Sequence, residues 1–381
     1  MAYIERNIKK NIESWLFKGK VIIIYGPRRI GKTTLSKEII APYGDEAKYI
    51  NCDNLEAREA LSVHDEKKLR AYLGKGKIFV IDEAQRVLNI GLSLKILVDT
   101  YPDIQIIATG SSSFDLSNRI SEPLTGRNIA FVLYPISVSE LKKSDVEDSF
   151  DFNTSLAKIF RFGLYPEIAS GKNAEPITYL TELASNYLYK DAIEYDGIKK
   201  PEILLKLLQF LAYQIGGEVS YNKLANDLEV SRGLVVRYID LLEKAFVIFR
   251  LRPFARNLSN EIGKKNKIYF YDLGIRNALI NSFNDISTRE DKDLGALWEN
   301  FCVLERIKRI QDEKWYRNLY FWKNTRDKEI DFLEEYNGQL YGYEFKWGAG
   351  NYRIPHEFSD EYKNSSILIV NRSNIGEFLG I

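Results

Sequence analysis

Histidine, cysteine and methionine are almost missing from this chain of 381 residues, which holds His64 and His356, Cys52 and Cys302, and a single Met. Two cysteines cannot build a disulfide framework or a thiolate zinc site, and two histidines leave no His-rich metal centre and few Ser-His-Asp arrangements. Net charge is missing too. The 54 Lys and Arg nearly cancel the 53 Asp and Glu, which excludes a globally basic nucleic-acid binder and an acidic tail protein. No apolar run approaches the roughly 18 residues of a membrane span. The opening MAYIERNIKKNIESWL mixes charge with apolar residues and has no signal-peptide core. The expectation is a cytoplasmic chain with no membrane partner. What remains is core-forming: 45% hydrophobic and 28% charged, long enough for two or three domains.

The first 140 residues alternate short apolar runs with longer mixed segments. Val21–Tyr25, Ala47–Asp53, Ile78–Asp82, Ile104–Gly110 and Ile129–Pro135 read as strands. Several are β-branched throughout, as in a sheet covered on both faces. Helical periodicity between them predicts βα alternation and a parallel sheet. Residues 141–200 read as a helical linker or lid, with a turn at Phe162–Pro166. Residues 201–262 show three helical patterns and a β-rich ribbon; 263–381 have α+β character. Residues 201–270 hold 11 basic and 7 acidic side chains, a net of +4, whereas 271–381 hold 15 and 19, a net of −4.

Gly26-Pro27-Arg28-Arg29-Ile30-Gly31-Lys32-Thr33 fits G-x-x-x-x-G-K-[ST], with a strand ending at Gly26 and a helix opening through Thr34. The glycines let successive N–H groups turn towards phosphates, and the helix N-terminus adds its positive end. Lys32 is expected on the β- and γ-phosphates and the Thr33 hydroxyl on Mg²⁺. A second buried-type strand, Ile78–Asp82, ends in Asp82 and Glu83. Asp82 is placed to serve the metal, and Glu83 to orient or deprotonate the attacking water. This favours ATP hydrolysis over a small-molecule kinase, for which no acceptor pocket is legible. A third strand ends in Thr109-Gly110-Ser111, hydroxyls where a γ-phosphate sensor would sit.

Together, YGPRRIGKTTL, IFVIDEAQ, ATGSSS and LTGR resemble the AAA+-type P-loop ATPases of archaea and bacteria, in the branch with a nuclease-like C-terminal domain of unknown function. The resemblance covers nearly the whole chain. It implies an α/β P-loop NTPase sheet in the order 5-1-4-3-2, ATP with Mg²⁺, and a switch-like use of hydrolysis. It also implies Thr109 or Ser111 as sensor and Arg127 as an arginine finger. A finger acting across subunits would require a homo-oligomer. Read without the family, Arg127 is equally a salt-bridged arginine at a helix end.

In the basic middle, Glu218–Leu228 reads as a helix, Ser231 as the N-cap of a helix from Arg232 to Ala245, and Phe246–Pro253 as a ribbon. Arg232, Arg237 and Tyr238 are expected to face outward, and Arg250 and Arg252 to share a strand face. The order resembles a winged helix, which can place its second helix in the major groove of duplex DNA and its ribbon on phosphates, or serve protein contacts alone. At the end of the chain, Leu340–Trp347 alternates strictly, putting Glu344 and Lys346 on one face within reach of Asp331. With Glu299 on the preceding helix, this resembles the PD-(D/E)-x-K nuclease core, except that Ile330 stands where the fuller motif has Pro. That resemblance implies a restriction-endonuclease-like α+β domain with Asp331 and Glu344 as Mg²⁺ or Mn²⁺ ligands, assisted by Glu299 and Lys346. Two outputs stay open: a nuclease-like effector, or an interaction switch that binds protein or DNA without cutting.

Overall fold

The structure, a computed structural model, describes residues 3–110, 124–144, 151–185, 200–255, 265–324, 326–348 and 355–381. The chain forms two units, one built on Glu5–Pro135 and the other on Ile136–Glu243 and Val247–Ile381. Among the described residues, no helix is long and apolar enough to cross a membrane.

The first unit is a parallel sheet of β1 (Val21–Tyr25), β2 (Ala47–Asn51), β3 (Ile78–Asp82), β4 (Gln105–Gly110) and β5 (Asn128–Val132), in the order 2-3-4-1-5. This is the expected order read from the other edge. Every residue of β1, β3 and β4 is buried, which explains their continuous apolar character: helices cover both faces, so no position needs a polar side chain. The P-loop follows the end of β1, and the helix Lys32–Ile40 follows the loop.

The second unit centres on a mixed sheet in the order β12-β11-β10-β9-β7-β8-β6. Its strands are β6 (Glu218–Val219), β7 (Ile248–Pro253), β8 (Asn266–Phe270), β9 (Asn318–Lys323), β10 (Glu329–Tyr336), β11 (Gln339–Phe345) and β12 (Ser365–Val370). Helices Pro201–Tyr213, Tyr221–Asp227 and Arg232–Lys244 precede β7. Glu218 and Val219 thus form a short strand rather than the start of a helix; Ser220 caps the helix that follows them. Ser231 acts as the expected cap, accepting from the Leu234 N–H at 3.2 Å. β7 pairs antiparallel with β8 and parallel with β9. Strands β6 and β7, from before the boundary read at 262, and β8 to β12, from after it, therefore pair in one sheet.

The long helix Asp291–Asp312 lies within this unit, and Trp298 and Phe301 on it pack with Phe160 and Trp347. Beyond the sheet centre, Phe254, Trp322, Ile330, Leu333 and Phe358 form a second apolar cluster. The turn at Phe162–Pro166 has a structural role. The Leu164 N–H donates to Asp272 Oδ2 at 2.7 Å, while the Ile275 N–H donates to Oδ1 at 3.1 Å. Burial outweighs these donors and pushes the Asp272 carboxyl up to about 6.

Candidate functional site

The P-loop is shaped by two glycines with positive φ. Gly26 has φ 149°, and a Cβ there would lie 2.4 Å from the Leu133 carbonyl oxygen. Gly31, at φ 96°, is the N-cap of Lys32–Ile40 and offers no side-chain acceptor to the first helical turn. A helix start without a side-chain cap is the kind of N-terminus that a phosphate cradle uses. Lys32 is buried, its Nζ donating to the carbonyls of Gly26 at 2.9 Å and Pro27 at 2.7 Å. Arg28, Arg29 and Ile30 span the loop between the glycines; Ile30 is fully buried and anchors it. Thr34 is exposed.

Asp82 is the hub of the site. Its Oδ2 accepts from Thr33 Oγ1 at 2.7 Å and from the Tyr49 hydroxyl, and its Oδ1 accepts from Thr109 Oγ1. Three strands and the P-loop helix thus converge on one carboxylate. Burial, then the bond to Asp82, raises the Tyr49 phenol far above its ordinary range, so it remains a donor. Glu83 holds left-handed backbone angles (φ 53°, ψ 43°), and its side chain accepts from Gln85 Nε2. The Thr33 hydroxyl and Asp82 carboxylate supply adjacent hard oxygens, a donor set that fits Mg²⁺.

Thr109 is fully buried, with its hydroxyl committed to Asp82 and accepting from the Glu83 N–H at 3.3 Å. It positions the carboxylate pair. Ser111, the other sensor expected from the sequence, lies outside the described residues. Arg127 pairs with Asp99, Nε to Oδ1 at 2.6 Å. It precedes β5, where Asn128 stands opposite Val21, whereas the P-loop follows Tyr25 at the other end of β1. Four residues of strand separate the two ends, about 13 Å at roughly 3.3 Å per residue. Within its own chain Arg127 therefore stands away from the P-loop and pairs with Asp99, which favours the salt-bridge reading.

In the second unit, Arg232, Arg237 and Arg252 are exposed. Arg250 is not available to phosphates as expected: it is half-buried and bonded to Asp240 at 2.8 Å and to Glu243. Tyr238 is corrected as well. It faces the interior, 4% exposed, because it lies on the same side of its helix as Val235 and Leu242.

The structure brings Glu299, Asp331, Glu344 and Lys346 together, and adds Lys267, Tyr269 and Glu329. Lys267 Nζ lies 2.8 Å from Glu299 Oε1 and 3.4 Å from Asp331 Oδ1, and also pairs with Glu329. The Tyr269 hydroxyl donates to Glu299 at 2.7 Å, the Phe345 N–H to Asp331 at 2.9 Å, and Lys346 to Glu344 Oε1 at 2.7 Å. Glu344 Oε2 is buried with no hydrogen-bond partner. Burial, reinforced by Asp331, pushes Glu344 up to about 8; burial also raises Glu299 to about 7 although Lys267 opposes it. Burial works to discharge Lys267, and the carboxylates overcome it, holding the ammonium charged. Strand alternation places Lys267 on the face of Tyr269, two residues on, but gives no sign of the carboxylates that both meet.

Residues 18–142 match the family model described as an AAA domain. The first unit is thus similar to AAA domains, with a P-loop sheet in the order 2-3-4-1-5. Beyond it, residues 153–286 and 294–376 match two domains of unknown function, DUF8612 and DUF4143. A Mycobacterium tuberculosis protein described as uncharacterized is 28% identical over 348 residues, spanning 91% of this chain and 74% of that protein. One from Methanocaldococcus jannaschii is 28% identical over 347 residues, spanning 86% and 74%. The replication factor C large subunit of Sulfolobus acidocaldarius is 30% identical over 129 residues, spanning 30% of this chain and 29% of that protein. Among solved structures, a signal transduction ATPase with numerous domains from Pyrococcus horikoshii aligns over 82% of this chain and 47% of its own. Its identity is 16% and its TM-score 0.27.

Proposed function

We propose that this protein is a Mg²⁺-dependent ATP-hydrolysing switch whose AAA domain controls the unit built on residues 136–381. The observation that carries this reading is Asp82 held by Thr33, Tyr49 and Thr109 beside the P-loop, with Glu83 next along the chain. Lys32 would leave the Gly26 and Pro27 carbonyls for the β- and γ-phosphates; Glu83 would orient the attacking water. Thr33 and Asp82 would hold Mg²⁺, which supplies neutralisation of charge on the phosphates. Lys32→Ala is expected to lose nucleotide affinity, and Glu83→Gln to bind ATP without turning it over. Wild-type turnover in purified Glu83→Gln would remove the water-orienting role.

For the output, the order helix, β6, helix, helix, β7, β8 supports a winged-helix reading of the middle segment. Exposed Arg232, Arg237 and Arg252 support contact with duplex DNA. Neutralising these three together should then make the fall of affinity with salt shallower by about two to three in log–log slope. Salt-independent binding, or no binding at low salt, would assign the module to protein contacts. The convergence of Asp331, Glu344, Lys346 and Glu299 supports a nuclease-like fold for the C-terminal segment. A specific observation favours the non-cutting output over an active nuclease: a lysine stands among its carboxylates.

A further inference from the structure

We infer that the carboxylate cluster of the C-terminal segment is a cation site filled from within by Lys267, which keeps divalent metal out and makes the segment a non-cutting module. The inference deepens the non-cutting reading above and is independent of the P-loop. Lys267 approaches the cluster from β8, outside the stretch 294–376 that contributes Glu299, Glu329, Asp331 and Glu344. Its ammonium touches three of these carboxylates and lies over the Phe321 ring, 5.5 Å from its centre. Only 3% of the side chain is exposed, so the ammonium is shielded from water.

A divalent ion serving Asp331 and Glu299 would need oxygens at about 2.0–2.6 Å, inside the volume the ammonium occupies. Two cations cannot share it. Lysine also supplies one positive charge where a metal would supply two. At Glu344, Lys346 satisfies Oε1 while Oε2 stays buried without a hydrogen-bond partner.

The test is Mn²⁺ titration of the full chain without nucleotide, followed by electron paramagnetic resonance. Wild type and Glu344→Gln should bind Mn²⁺ identically. Lys267→Met, which keeps the length of the stem and removes the charge, should gain one Mn²⁺ per chain, and Lys267→Met/Glu344→Gln should lose it again. No nucleic-acid cleavage is expected from the wild type with Mg²⁺ or Mn²⁺. A wild-type Mn²⁺ lost in Glu344→Gln would overturn the inference, as would a folded Lys267→Met that gains none. If Lys267→Met does not fold, the comparison of wild type with Glu344→Gln decides alone. ATP turnover in the same preparations tests the P-loop reading separately.

Discussion

Gly26→Ala probes the P-loop through a single methyl group. At φ 149° an L side chain is strained, a cost of about 1–3 kcal/mol. The new Cβ would also lie 2.4 Å from the Leu133 carbonyl oxygen, about 1 Å inside ordinary contact. Leu133 cannot retreat easily, because its N–H donates to the Tyr25 carbonyl at 2.8 Å and Val132 pairs with Tyr25. The loop must give instead. With strain and clash together at about 2–4 kcal/mol, nucleotide affinity should fall by about 30- to 1,000-fold if the loss is expressed in binding. Gly31→Ala is the control. Its φ is 96° but a Cβ there meets nothing within 4 Å, so only strain of about 1–2 kcal/mol applies, or roughly a 5- to 30-fold loss. Titration with a fluorescent ATP analogue, with circular dichroism confirming the fold, measures both. Affinity of Gly26→Ala within twofold of wild type, or a larger loss in Gly31→Ala, would refute the reasoning.

Arg127→Ala should leave ATP turnover within about twofold, because an exposed pair with Asp99 contributes only about 0–1 kcal/mol. A loss of orders of magnitude, rescued by mixing with a Lys32 variant, would instead place Arg127 in a neighbouring copy's site. Asp272 should make stability depend on pH. Its folded value of about 6 lies above the ordinary carboxylate range, so its contribution is complete below about pH 4 and is lost as pH rises through 6. Relative to Asp272→Asn, wild type should lose about 1–2 kcal/mol between pH 5 and 8 in urea unfolding, and a difference of the opposite sign would show that burial does not dominate.

The parallel sheet was legible because buried strands write their whole length in apolar residues, and the P-loop because its chemistry is local. Val21–Tyr25, the loop and Lys32–Ile40 are consecutive in the chain. Arg127 was ambiguous because a finger and a salt bridge use the same residue, and only strand direction separates them. Arg250 was misjudged because its partners Asp240 and Glu243 lie one helix turn apart on a neighbouring element, a contact that no period reveals. Asp331, Glu344 and Lys346 could be grouped from strand alternation. Lys267 lies 64 residues from Asp331, and nothing in the local pattern says that β8 shares their sheet. Tyr49 was hidden in the same way: its partner Asp82 is on an adjacent strand, 33 residues along.

The unbroken sheet from β12 to β6 also bears on how this protein can be taken apart. The match to one domain of unknown function ends at 286 and the match to the next begins at 294, an inviting place to divide the chain. A cut there would sever no strand, yet it would leave β9 without its partner β7 and leave three carboxylates without Lys267. Each fragment would expose a raw edge, an invitation to pair with other chains. The two matched segments are therefore halves of one inheritable part. A graft or domain swap within this architecture has to carry the lysine along with the acids that surround it.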